Sequence, residues 1–111
     1  MKHVVEFRSL SLKPGTRDQF HRVFTEQSLP LLTRSNMDVV AHGPSMHDEH
    51  TYFVIRRFDS LVRRGQIEDS FYDSNNWKLG PREALVALID NYVDIVLELD
   101  DVAVQALRNV R

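Results

Sequence analysis

The chain has 111 residues, 42% of them hydrophobic and 27% charged, with no cysteine and a formal net charge of -2. That length holds one hydrophobic core, so residues 1–111 are read as a single domain, and the apolar content excludes a disordered chain. The charge gives no reason to expect nucleic acid or an anionic membrane as partner, and the missing cysteines exclude disulfides, thiolate catalysis and Cys-ligated zinc or iron–sulfur centres.

Among the 14 basic residues only Lys2, Lys13 and Lys78 are lysines. Arginine's planar fork suits interfacial or buried carboxylates, which favours subunit contacts or an acidic ligand. The N-terminal "MKHVVEFRSL" is too short and too charged for a secretory apolar segment, and no apolar run reaches membrane-spanning length. A cytoplasmic protein is the expectation.

In chain order, "HVVEFRSLSL" (residues 3–12) is β-rich and stops at Lys13-Pro14-Gly15. "TRDQFHRVFTEQSLPLL" then sets Phe20, Val23, Phe24, Gln27 and Leu31 at helical spacing, with Thr16 as N-cap and Pro30 kinking or shortening the last turn. "MDVVAHGPSM" is a second strand, interrupted at Gly43-Pro44; "HDEH" is a polar turn; "TYFVIRRF" (residues 51–58) is a third strand. Asp59 and Ser60 cap a second helix with Leu61, Ile67 and Phe71 inward, predicted to end near residues 77–79.

Gly80 breaks the chain, Pro81 opens a new helix and Glu83 favours its dipole. Ala84, Leu85, Leu88, Ile89 and Tyr92 read as one apolar helical stripe. In "VDIVLELD", Val93, Ile95, Leu97 and Leu99 alternate with Asp94, Val96, Glu98 and Asp100, which predicts the fourth strand. Asp100 or Asp101 caps a last short helix, "DVAVQALRNVR".

This β-α-β-β-α-α-β order with a helical tail is a split βαβ layout, ferredoxin-like, an α+β fold with helices on one face of a four-stranded antiparallel sheet. A solvated second face should be polar. Yet Tyr52, Val54 and Phe58 point one way in the third strand while Phe53 and Ile55 point the other, and Val4 beside Val5 and Phe7 repeats this in the first. With no second sheet in the chain, a symmetric partner is the economical cover, so a homodimer with facing sheets is expected.

The segments "KPG" at residues 13–15, "HGPS" at 42–45, "FDS" at 58–60, "FY" at 71–72 and "W..GPRE" at 77–83 together resemble small bacterial NIPSNAP-type proteins. The resemblance spans nearly the whole chain. It implies the dimeric α+β barrel superfamily, which also contains antibiotic-biosynthesis monooxygenases. The family has no general activity, and relatives range over quinone-forming oxygenation, polyketide cyclisation, haem handling and stress proteins.

In such relatives ligands sit in the crevice between sheet and helices. His42, Arg56, Tyr72, Trp77 and Arg82 fall where they can converge on that crevice and bind a small aromatic or acidic molecule. His42 is the candidate general acid or base, since imidazole titrates near neutrality. Trp77 is expected to be mainly a structural plug touching the pocket edge, and Arg82 to be fixed by an ion pair with Glu83 or an acid of the second helix. A cofactor-free monooxygenase, isomerase or cyclase is the second reading, and a purely structural or interaction dimer the third.

His47-Asp48-Glu49-His50 reads as turn chemistry, not a metal site, because HxxH off a helix does not fix ligand geometry. No GxSxG elbow, GxGxxG or GxxxxGK[ST] loop occurs, so a hydrolytic triad and nucleotide cofactors lack support. No cofactor is expected.

Overall fold

The structure is a computed structural model and describes residues 1–110. Four antiparallel strands, β1 (Lys2–Leu12), β2 (Asp38–Pro44), β3 (Thr51–Phe58) and β4 (Ile89–Asp100), form one sheet in the order β2-β3-β1-β4. The ferredoxin-like α+β layout is present. Among the described residues no helix is long and apolar enough to cross a membrane.

The first helical segment runs as α1 (Arg17–Val23), a π-helical turn (Phe24–Ser28) and α2 (Leu29–Arg34). Pro30 lies in the first turn of α2, where a missing N–H costs least, so the helix continues past it. The wide turn comes just before. It changes the inward spacing, so that Phe20, Phe24, Ser28 and Leu32 are buried at every fourth position while Gln27 is exposed. Thr16 stands at the N-cap but caps nothing with its side chain: its hydroxyl donates instead to the Lys13 carbonyl at 2.6 Å. Gly15, at φ +77°, lets the backbone make that turn without strain.

Helix α3 (Leu61–Tyr72) is capped by Ser60, whose Oγ accepts from the Arg63 N–H at 3.0 Å. It buries Phe71 and half-buries Ile67, while Leu61, at the N-terminal end, faces solvent. The chain does not carry this helix on to residues 77–79. Ser74 recaps it, starting a separate turn, α4 (Asn75–Lys78). Gly80 follows because a Cβ there would run into the Asn76 carbonyl. Helix α5 (Arg82–Val86) is short, and β4 begins at Ile89. The stripe from Ala84 to Tyr92 is therefore not one helical face: Leu85 is buried, Ala84 exposed, and Tyr92 sits in the strand.

The main core lies between the sheet and α1 to α5, built on Leu10, Leu12, Phe20, Phe24, Leu32, Tyr52, Val54, Phe58, Phe71 and Leu85. The last helix, α6 (Asp101–Leu107), does not join that layer. Capped by Asp100, it crosses the opposite face, where Val104 packs with Val5, Val40, Ala41 and Ile55. Arg108 then closes on Asp38 of β2 at 2.8 and 3.0 Å. Helices on one face only is thus corrected: one end of the second face has its own helix. The rest of it, with Val93, Ile95 and Leu97 each about half exposed or more, stays uncovered.

Candidate functional site

Strand register decides what the inner face of the sheet presents to the helices. Glu6 lies opposite Arg56 of β3 and Val96 of β4; two residues on, Arg8 lies opposite Val54 and Asp94; next, Leu10 lies opposite Tyr52 and Tyr92. One end of that face is charged and the other apolar. Helix α3 covers the charged end with Arg64, Glu68 and Tyr72, and α1 with the π-helical turn after it covers the apolar end with Phe20 and Phe24.

Between the two helices a cavity of about 420 Å³ remains. Arg8, Arg56, Glu68 and Tyr72 line one end; Leu10, Phe20, Phe24, Leu32 and Val54 line the other; Trp77, Arg82 and Val86 also contribute to its wall. A cavity of this size with mostly apolar walls and a few convergent polar groups is the usual form of a small-molecule site.

The charged end is a closed network. Arg56 Nε donates to Glu6 Oε2 at 2.7 Å, its Nη2 to Glu68 Oε2 at 2.9 Å and its Nη1 to the Tyr72 hydroxyl at 2.7 Å. Arg8 forks onto Asp94 at 2.8 and 3.0 Å, and Arg64 reaches Glu6 at 3.0 Å. Burial raises the Glu6 carboxyl, but its hydrogen bond with Glu68 and the charges of Arg56 and Arg8 outweigh that and hold it at about 2. Glu68 goes the other way, pushed up to about 7 by burial and by the hydrogen bond it shares with Glu6. Burial acts against the Arg8 charge, yet the hydrogen bonds to Asp94 hold the guanidinium still more firmly protonated than usual.

Of the five residues marked from the sequence, Arg56, Tyr72, Trp77 and Arg82 meet around this cavity and His42 does not. His42 Nδ1 sits 3.0 Å from the Tyr52 hydroxyl, whose other contact is His21 Nδ1 at 2.6 Å. Burial and the neighbouring His21 lower the His42 pKa. The His42 ring packs on Phe24, so that aromatic ring, not the imidazole, forms the cavity wall.

Trp77 is half-buried, its ring 5.5 Å from Phe71 and 5.3 Å from Tyr72, edge-on to the latter. It is both packing and wall. Arg82 is exposed at the cavity and makes no ion pair among the described residues, so the expected fixing pair with Glu83 or an α3 acid is absent. Residue-by-residue reading overlooked Glu6, Arg8, Glu68 and Asp94. Charged residues at inward parity in β1 and β4 were the available signal. The His47–His50 turn is closed by Asp48, which accepts from the His50 and Thr51 N–H groups and the Thr51 hydroxyl.

No family profile matches the sequence, and no curated protein is similar to it in sequence. Solved structures are similar in shape. A NIPSNAP family protein from Agrobacterium tumefaciens matches with a TM-score of 0.80 at 14% identity, over 89% of this chain and 87% of that one. An uncharacterised NIPSNAP domain protein from Burkholderia xenovorans matches with a TM-score of 0.79 at 12% identity, over 88% and 95%. A candidate antibiotic biosynthesis monooxygenase from Bordetella bronchiseptica matches with a TM-score of 0.67 at 16% identity, over 91% and 98%. The chain thus has the α+β fold of the NIPSNAP proteins, shared with the monooxygenase-like neighbours.

Proposed function

We propose that the chain is a NIPSNAP-like, cytoplasmic homodimer that binds a small aromatic or acidic molecule in the cavity between sheet and helices. The observation that carries the binding reading is the division of the cavity into two ends. Tyr72, whose hydroxyl accepts from Arg8 and Arg56 and keeps its own hydrogen to donate, stands at one, and Leu10, Phe20, Phe24 and Leu32 offer a slot for a flat apolar body at the other. Trp77 supplies an aromatic wall, and Arg82 a guanidinium unpaired among the described residues. A crevice with one charged and one apolar end favours a bound ligand over a purely structural dimer.

The homodimer rests on the second sheet face. Phe7, Phe53, Ile55, Val93 and Ile95 form one apolar surface there, edged by Leu107 and Val110 at the end of the chain. An apolar surface of this kind is complementary to itself, which suits a two-fold interface. Catalysis has one supporting feature: Glu68, near 7, is poised to give or take a proton beside the cavity. This moves the candidate acid or base from His42 to Glu68.

The test uses Trp77, the only tryptophan, as reporter. Titrating the protein with benzoate and 4-hydroxybenzoate should change its emission saturably. Val86→Phe, at an exposed position of the cavity wall, should abolish the change while leaving the melting temperature near that of the parent. Emission unaffected by every one of these compounds would count against the binding reading.

A further inference from the structure

We infer that the charged end of the cavity receives the anionic head of a small acid together with one proton, which Glu68 takes up. The inference rests on the binding reading above and names its ligand class: a monoanion on a flat apolar body.

The charged end is electrically balanced before any ligand arrives. Around Glu68 stand Glu6 and Arg8 from β1, Arg56 from β3, Asp94 from β4, and Arg64 and Tyr72 from its own helix, while Asp69 lines the cavity at an exposed position of that helix. Three guanidiniums face three carboxyl groups, every one of these side chains less than a quarter exposed. With all six ionised the cluster has no cation to spare. An arriving anion would then add a fourth negative charge in a poorly solvated place, where such charges repel strongly.

Arg56 is the point where the carboxyl groups compete. Its Nη2 is shared by Glu6 Oε2 and Glu68 Oε2, so two carboxyl groups crowd one donor. Crowded carboxylates resolve the conflict by keeping one proton between them. Glu6 has no solvent exposure and is also held by Arg64, so it stays the anion. Glu68 lines the cavity and is the member that titrates. Its position near 7 means that a proton is available at neutral pH, and a ligand anion nearby would hold that proton more tightly.

Tyr72 supplies a donor for the arriving anion. Its oxygen accepts from Arg56 at 2.7 Å and from Arg8 at 3.4 Å, which leaves the phenolic hydrogen to be donated. A protonated Glu68, its hydrogen held toward Glu6, removes one negative charge from the same end, and the balance is simple: protein, anion and one proton combine, with no bond made or broken in the ligand. Arg82, exposed to water, offers only a screened alternative.

The experiment titrates the full chain with benzenesulfonate, which stays ionised throughout, and with neutral benzamide, between about pH 5.5 and 8.5. Calorimetry in buffers of different ionisation enthalpy reads the protons taken up. Benzenesulfonate should weaken by about tenfold per pH unit above 7 and should carry close to one proton per molecule bound on the alkaline side. Benzamide affinity should be flat. In Glu68→Gln the sulfonate should bind at all pH values as the parent does in acid. Sulfonate binding that is independent of pH, with no proton uptake, overturns the inference and leaves the binding reading standing; its loss in Arg82→Ala would then locate the anion on Arg82. Failure of both probes to bind overturns the two together.

Discussion

Glu6 and Arg56 stand directly opposite each other in β1 and β3, and their side chains, at 0% and 2% exposure, are sealed between the sheet and α3. The pair has no apolar substitute in reach of the same partners, because Arg56 also holds Glu68 and Tyr72 while Glu6 also holds Arg64. Breaking one side leaves a buried charge uncompensated. Glu6→Leu should therefore cost about 3–5 kcal/mol in urea unfolding, and Glu6→Leu combined with Arg56→Met should cost clearly less than the two single changes added together. Additive losses would show that the pair does not act as a unit.

Trp77 should behave as packing and wall at once. Half-buried against Phe71 and Tyr72, it has less to lose than a fully enclosed aromatic, so Trp77→Ala should cost about 1.5–3 kcal/mol and Trp77→Phe under about 1. Both variants should weaken benzoate binding. Thermal unfolding and calorimetric titration of the two proteins check this. Equal melting temperatures for the parent and Trp77→Ala would rule out the packing role.

Much of the architecture is legible in the sequence because β3 and most of β1 and β4 keep a two-residue alternation, so their faces can be assigned by counting; β2 breaks it with a bulge that puts both Val40 and Ala41 on the outer face. The face that holds Arg56 is open between Arg56 and Arg57 in the sequence and is settled by the register, which puts Arg56 with Tyr52 and Val54 on the inner face. What escapes is whatever depends on a partner distant in sequence. The π-helical turn moves the inward position from Gln27 to Ser28, and no local propensity announces it. Ser74 starts a new turn where the apolar spacing alone continues a helix to Trp77. Helix α6 looks like a tail until Val104 meets Val5 and Ile55 across the sheet. His42 fails to join the site because its partner, the Tyr52 hydroxyl, points it at His21.

Stability should depend on pH with two opposing limbs. The Glu68 carboxyl is raised from 4.5 to about 7, so the folded chain keeps a proton that the unfolded chain has released. Its contribution is full below about pH 4.5 and is lost as pH rises through about 7. The His42 imidazole is lowered from 6.5 by burial and by His21, so here the unfolded chain takes the proton first. That contribution is full above about pH 6.5 and is lost as pH falls through the folded value. Urea midpoints across this range should lose their alkaline decline in Glu68→Gln and part of their acid decline in His42→Gln. Parallel profiles for the parent and Glu68→Gln would show that this carboxyl is not perturbed.

The uncovered sheet face makes its own prediction. Ile95 is opposite Phe7 in the register and more than half exposed. Ile95→Glu should convert a dimer to a folded monomer at about micromolar concentration, because a charge in an apolar interface has no partner and leaves water at a cost of several kcal/mol. Sedimentation velocity with a far-ultraviolet dichroism spectrum distinguishes dissociation from unfolding. A parent protein that sediments as a monomer would remove the homodimer from the account.

The central claim is that the space between sheet and helices holds a small acid with its head at the arginine end. A crystal structure with 4-bromobenzoate, using the anomalous signal of bromine, reads this directly. The account predicts the carboxylate against Arg56 and Tyr72 and the bromine beside Phe20 and Phe24. A bromine peak on the outer sheet face among Phe53, Val93 and Ile95, or none in the cavity at saturating ligand, would contradict it.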